Sequence, residues 1–334
     1  MTDHITAATD ATNANANALP DTPPFDVAII GGSFAGLSAA MQLARARRKI
    51  CVIDAGQPRN RFAATSHGFF GLDGKSPMEI RDIAMSQLRA YPTVTVRDGW
   101  VSHASPSAKS SARSTAGTDD GDMRFDITIN DRDVITARRI LLATGVRDIL
   151  PDIPGMTDRW GTTVLHCPYC HGYEVRDEQI GVIATMSHSS HQAMMLPDWG
   201  PTTYFTQGIH LPDAETQAAM IQRGIVVENS PVVELLGTAP SLDAVRLADG
   251  RILPMTAIFT GPKVTMPSPV ADMLGCAFDD GPQGPFIDVD SSQETSVPGI
   301  FAAGDAATAR HNATLASAAG VMAGVGVHQS LIFG

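Results

Sequence analysis

The sequence predicts a two-domain α/β protein of the doubly wound, Rossmann type. An apolar strand, a glycine-rich turn and a helix follow one another near the start of the chain. A second strand–turn–helix run begins near residue 180, and a late apolar segment ends in Gly304-Asp305 before a closing helix of small residues. Strands alternating with helices are what a parallel sheet with covering helices requires.

Phe25–Ile30 reads as the first strand and Gly31-Gly32-Ser33-Phe34-Ala35-Gly36 as its turn, with a helical apolar period continuing to residue 47. A strand over 49–54 then closes on Asp54. Strands over 94–101 and 124–129 flank a low-complexity loop at 104–122, and a strand over 138–143 ends in Thr144-Gly145. In the second run, strands are expected over 180–185, 202–206 and 257–260, and helices over 189–198 and 214–223. A strand over 299–303 precedes Gly304-Asp305. The expected domains are therefore 25–150 joined with 263–334, and an inserted 151–262. Residues 1–24 read as a disordered tail of small polar residues.

A chain of 334 residues, 43% hydrophobic and 18% charged, can bury two cores. Its formal net charge of -11 argues against a nucleic-acid partner, whose phosphates need a basic surface. No membrane association is expected: the apolar stretch at 313–327 is broken by Ser317, Gly320, Gly324 and Gly326, and a bilayer demands roughly 20 apolar residues. The N-terminus has neither a basic start nor an apolar block, so a cytoplasmic location is expected. Two of the 4 cysteines share one Cys-x-x-Cys, which is no secreted disulfide framework. Cys51 and Cys276 read as packed, inert thiols.

The first turn departs from Gly-x-Gly-x-x-Gly because Ser33 replaces the second glycine. Gly31 supports the tight turn, Gly36 the helix–strand packing, and the backbone of Gly32, Ser33 and Ala35 lies at a helix N-terminus suited to phosphates. Asp54 follows at close to the roughly 20-residue spacing of a ribose-binding acid. Together these predict a bound dinucleotide.

Cys167-Pro168-Tyr169-Cys170-His171 carries the chemistry. Two cysteines at this spacing cycle between dithiol and disulfide, and one lowers the thiolate pKa of the other. The same letters serve as a c-type haem attachment site, but no export signal or helical haem domain accompanies them. His166, Cys167, Cys170 and His171 also amount to four zinc ligands, yet structural zinc usually takes two separated pairs. The redox reading is preferred, and no metal is expected. A histidine beside the second cysteine is suited to moving thiol protons near neutrality.

The run from Thr295 to Asp305 resembles the C-terminal flavin motif of the pyridine-nucleotide–disulfide oxidoreductases. The order of all these elements over 25–334 is similar to that of the low-molecular-weight thioredoxin reductases. The resemblance implies a thioredoxin-reductase-like flavoprotein with a discontinuous FAD-binding domain and a smaller inserted domain. It implies that Asp305 binds the ribityl chain of FAD, that Cys170 lies against the flavin, and that Cys167 meets the substrate. It puts His171 where the family has an acid/base aspartate. Gly304, Thr144, Gly145, Val101, Arg59 and Asn60 complete the implied FAD contacts, together with the backbone of Thr314, where the family's Arg-Gln aligns on Ala313-Thr314.

The inserted domain departs from the family at its NADPH site. Its turn reads Ala184-Thr185-Met186-Ser187-His188-Ser189, without glycine, and Met186 is expected to fill the pyrophosphate's space. The next strand, Tyr204-Phe205-Thr206-Gln207-Gly208, brings no arginine for a 2′-phosphate. This pattern resembles the NADP-independent dithiol oxidases that close disulfides in gliotoxin-, holomycin- and romidepsin-type products, and the run Cys167 to Glu174 fits that branch. The resemblance implies a homodimer that oxidises a small-molecule dithiol and passes electrons through FAD to molecular oxygen. Two other readings stay open on sequence alone: a thioredoxin reductase fed by a donor such as ferredoxin, and a flavin-bound redox sensor or thiol-binding resistance protein.

Overall fold

A computed structural model describes residues 23–108 and 123–334; nearly all of the expected tail, and most of the loop at 104–122, lie outside them. The first unit is built on a seven-stranded sheet whose order is Val94–Asp98, Ile50–Asp54, Phe25–Ile30, Asp133–Leu142, Phe125–Ile129, Val101–Pro106, with Ile300–Ala302 added alongside Asp133–Leu142. Phe25–Ile30 pairs in parallel with both Ile50–Asp54 and Asp133–Leu142, and Ile300–Ala302 pairs in parallel with the latter. These strands therefore end on one edge, bringing Gly31, Asp54, Thr144 and Gly304 together from four parts of the chain. Their runs of branched apolar residues are buried on both faces, as parallel strands require.

Several boundaries differ from expectation for local reasons. The helix Phe34–Arg45 stops short of 47 because Arg47 takes a positive φ of 60°. The strand expected over 94–101 is two strands, split at Gly99 (φ 143°), and the second runs on to Pro106. Helix Pro77–Arg89 was not anticipated, although Ser76-Pro77-Met78-Glu79 is a capping box with proline in its first turn. The expected helix over 189–198 is Ser189–Met195 followed by a tighter 3₁₀ turn.

The last helix, Ala313–Phe333, is 21 residues long, more than its interrupted composition suggested, and by length and hydropathy it is sufficient to cross a membrane. Its glycines explain where it lies. A Cβ on Gly320 would stand 2.1 Å from the Ala35 carbonyl oxygen, and one on Gly324 would stand 2.9 Å from that of Ala39. The helix thus crosses Phe34–Arg45 at backbone contact. Arg139 fixes its far end, donating through Nη2 to the Ser330 carbonyl at 2.8 Å.

The second unit has a five-stranded parallel sheet in the order Val226–Glu228, Thr202–Phe205, Ile180–Ile183, Ala257–Phe259, Val164–Leu165. An antiparallel three-stranded sheet, Val232–Leu236, Ala244–Leu247 and Ile252–Pro254, accompanies it and was not foreseen. The buried Arg159 guanidinium ties this unit together by donating to the carbonyls of Gly155, Gly237 and Ser241. The chain crosses between units twice, and the crossings Arg147–Ile149 and Lys263–Thr265 pair antiparallel, with Val264 opposite Asp148.

Candidate active site

Val164–Leu165 runs parallel to Ala257–Phe259, so His166 and Cys167 emerge at the C-terminal edge of the second sheet. In doubly wound folds that edge is where ligands bind. Cys167 caps a one-turn helix, Pro168–His171, in which Pro168 takes the first position and loses no needed donor. The Cys170 amide donates to the Cys167 carbonyl at 3.1 Å, and the two cysteines form a disulfide with Cα atoms 5.3 Å apart. Gly172 is required here: a Cβ would stand 2.6 Å from the Pro168 carbonyl and 2.8 Å from the Trp199 ring. Tyr169, 74% exposed, packs edge-on to Trp199 at 5.6 Å, and Tyr173 is 67% exposed. Aromatic surface thus borders the disulfide on its solvent side.

His171 is partly buried. Burial lowers its pKa below the ordinary value, the Glu174 charge opposes that, and His67 adds to it. In the disulfide state desolvation wins. His166 is pushed down to about 4, chiefly by desolvation and then by the Arg59 guanidinium. It keeps some accessible surface, so the crowding of its ring by protein, not full enclosure, is the cause. Its neutral Nε2 lies 3.2 Å from the Gln283 amide nitrogen, and the Gln192 amide donates to its carbonyl at 2.6 Å. Gln283 and Gln192 are partners that no sequence signal disclosed.

The first unit offers a cradle for a nucleotide. A Cβ on Gly31 (φ 113°) would overlap the Ala143 carbonyl at 2.1 Å, and one on Gly36 would overlap the Gly31 carbonyl at 1.9 Å. Turn, strand and helix are therefore in backbone contact. Ser33 caps the helix without a side-chain bond, so no side chain of the cap takes the first-turn amides at the positive end of this 12-residue helix. Asp54 is buried and accepts from the Gly32 and Gly56 amides at 3.2 Å and from Arg81. A carboxylate has about four acceptor sites, so one remains for a hydroxyl. Arg81 was missed because it lies on the unforeseen helix.

Gly304 (φ 76°) would place a Cβ 2.8 Å from that of Ala35, which seats Asp305 beside the glycine turn. Arg59 donates to Asp305 at 2.9 Å and binds both oxygens of Asp148, and Asn60 follows in the same 3₁₀ turn. His311 stands near this cluster, its Nδ1 buried and without a partner among the described residues. That orphaned nitrogen and the uncapped amides suit a polar cofactor. Thr144 and Gly145 (φ 66°) line the same edge, with open space beside Gly145. Two of the expected contacts have other partners in the protein. Val101 starts its own strand and is buried in the sheet core, and the Thr314 amide is taken by the helix cap Asn312 at 2.8 Å. Among the described residues no cluster of His, Cys, Asp and Glu is fit to hold a metal.

The corresponding turn of the second unit is closed from within. The Ser189 hydroxyl accepts from the amides of Thr185 and Met186 at 3.1 and 3.3 Å, and Thr185 in turn donates to the Gly261 carbonyl. Ser189, and not the Met186 side chain, occupies those amides. Gln207 spends both ends of its side-chain amide on Val232. Arg223 pairs with Asp198, and Arg246 with Glu234.

Fold and site define an oxidoreductase that couples a cysteine pair to a flavin. Residues 25–184 match the pyridine nucleotide-disulphide oxidoreductase family, and the chain belongs to its thioredoxin reductase branch. It is 30% identical to thioredoxin reductase tcpT of Claviceps purpurea, over 90% of this chain and 92% of that one. An oxidoreductase from Agrobacterium tumefaciens superposes with a TM-score of 0.84 at 45% identity, over 93% of this chain and 99% of that one. HlmI superposes with a TM-score of 0.83 at 32% identity, over 92% and 93%.

Proposed function

We propose that the protein is a homodimeric, FAD-dependent dithiol oxidase that closes a disulfide within a small-molecule dithiol, without NADPH and with molecular oxygen as final acceptor. The observation that carries this reading is the contrast between the two turns. In the first, no side chain caps the helix start and only the Gly32 amide is drawn off, to Asp54, whereas in the second Ser189 takes the amides of both Thr185 and Met186. A cysteine pair served by one nucleotide site must take its electrons from thiols. Buried Asp54, with one acceptor site left, favours a flavin that carries an adenosine ribose, which is FAD.

A substrate thiolate attacks Sγ of Cys167, and the Cys170 thiolate leaves. The substrate's second thiol then attacks the mixed disulfide, closing its own S–S bond and releasing Cys167. The pair has gained the two electrons the substrate lost. His171 takes the proton from an attacking thiol and returns it to a departing cysteine sulfur. FAD, held by the Gly31–Gly36 turn, Asp54 and Asp305, would supply a two-electron acceptor for the reduced pair that oxygen can reoxidise. Tyr169 and Tyr173 offer apolar faces to a small ring. The dimer is read from the side of the last helix away from Ala35, where Leu315, Met322 and Val325 are exposed, with Phe70 at 96% nearby in sequence to the covering helix Pro77–Arg89.

An oxygen electrode with a panel of small dithiols, with and without NADPH, tests this. Uptake should depend on dithiol alone. Rapid anaerobic bleaching of the flavin by micromolar NADPH would overturn it.

A further inference from the structure

His166 directly precedes Cys167, takes no part in the thiol chemistry above, and is held at both ends. Its carbonyl accepts from the Gln192 amide at 2.6 Å, from helix Ser189–Met195 of its own unit. Its ring meets the first unit, with Nε2 at 3.2 Å from Nε2 of Gln283. Gln283 is itself preset. It lies in the turn over 281–284 between strands Phe278–Asp280 and Pro285–Ile287, and Gly281 and Gly284 exchange backbone bonds at 3.0 and 3.2 Å. Its carbonyl accepts from the Val264 amide at 2.8 Å, and its side-chain amide donates to the Pro262 carbonyl at 3.0 Å. A Cβ on Gly284 (φ 150°) would stand 2.4 Å from the Val264 carbonyl oxygen, so the turn rests against the exit crossing at backbone contact. A carbonyl only accepts, so the nitrogen end of the Gln283 amide faces Pro262 and has a second hydrogen left for His166. The ring is neutral, its pKa pushed down to about 4, so Nε2 is the bare acceptor and the proton sits on Nδ1.

We propose that His166 is a peg by which Gln283 seats the cysteine pair of the second unit against the flavin cradle of the first, and not an acid–base group. Resting on the electron path from the cysteine pair to FAD proposed above, this makes Gln283 a positioning residue for that step. Cysteines and cradle belong to different units, joined through a stem of three residue pairs. The stem sets where the units meet, and a contact beyond it is needed to set the spacing of their functional edges. Gln283 supplies that contact one residue from Cys167 while fixed to the stem at Pro262 and Val264. On the other strand of the stem, opposite Val264, Asp148 holds Arg59, which also holds Asp305. Peg and cradle thus refer to one stretch of backbone. Transfer between two groups is sensitive to such placement, where about 1 Å can cost about 100-fold.

Charge-transfer absorbance reads the seating with no dithiol or turnover. In full-length Cys167→Ser flavoprotein, Cys170 is left as a thiolate to meet the oxidised flavin. Adding Gln283→Met keeps the side chain's length and removes its donors. The absorbance per flavin should fall by about 2- to 10-fold, the worth of one hydrogen bond in the ratio of seated to unseated pairs, with FAD retained. His166→Gln puts an amide oxygen where Nε2 stood and should keep the band, whereas His166→Met should weaken it as Gln283→Met does. An imidazole that moves protons would make both His166 variants fail alike, and that result would overturn the peg. So would an unchanged band in Gln283→Met, FAD lost from it, or no band in Cys167→Ser itself. Oxygen uptake with dithiol reports separately on the oxidase reading. If uptake fails while the bands divide as expected, that reading falls and the peg stands; if uptake persists while they do not divide, only the peg falls.

Discussion

Arg59 donates to Asp305 at 2.9 Å while binding both oxygens of Asp148, so one guanidinium joins the loop after the second strand, a crossing between the units, and the turn before the last helix. All three side chains are largely buried, at 17% and 8% exposure for the Asp148 pair and 17% for Asp305. Arg59→Ala leaves two carboxylates without their cation. Breaking a buried pair from one side costs about 3–5 kcal/mol, and the residual exposure here argues for the lower end. Chemical denaturation should show that loss, and the purified variant should carry less flavin.

Substituting the two cysteines separates their roles. Cys167→Ser leaves Cys170 free beside the oxidised flavin, and a long-wavelength charge-transfer absorbance is expected. Cys170→Ser breaks the relay, and Cys167 should then accumulate as a mixed disulfide with dithiol under oxidant, readable by intact mass. Absorbance in Cys170→Ser and its absence in Cys167→Ser would exchange the assignments.

Much of this site was legible because its motifs sit at strand ends, and parallel strands deliver their ends to one edge whatever separates them in sequence. Gly31, Asp54, Thr144, Gly304 and Cys167 all emerge that way. The partners that arrive through tertiary contact were not legible. Arg81, Gln283 and His67 lie on segments without a motif; packing within the first unit sets Arg81 against Asp54, and packing of the two units sets Gln283 against His166 and His67 against Glu174. Val101 and the Thr314 amide were expected at the cofactor by alignment alone. A split strand and a capping Asn312 account for where they are found.

His171→Ala should slow dithiol oxidation by about 10²–10⁴-fold with FAD retained, the range of general acid–base assistance. Because burial lowers the His171 pKa, the imidazole is neutral and able to accept a proton through neutrality. The wild-type rate should fall only as pH drops below the ordinary histidine value of about 6.5, and the variant should lose that limb. Stopped-flow reduction across pH 4.5–8 checks both.

His166 should make the fold sensitive to acid. Its pKa of about 4 in the fold lies below the unfolded value, so the unfolded chain binds the extra proton between the two. Stability is therefore intact above about pH 6.5 and declines as pH falls toward 4, by up to about 3 kcal/mol. Thermal melts of His166→Gln should show a shallower decline over that window than the parent. Equal slopes would assign the acid sensitivity to other groups, with His311 the next to test.

The paired crossings Arg147–Ile149 and Lys263–Thr265 make the second unit an exchangeable cassette. Its entry and exit stand side by side, so the backbone leaves and rejoins the first unit through one two-stranded stem, with side-chain contacts such as His166–Gln283 and Glu174–His67 beyond it. Substitutions beyond the stem, in the turn that Ser189 closes or in the aromatic rim of the disulfide, therefore leave the backbone of the first unit's glycine turn in place. Grafting the corresponding segment of a relative onto this stem should therefore transfer donor preference as a single heritable block.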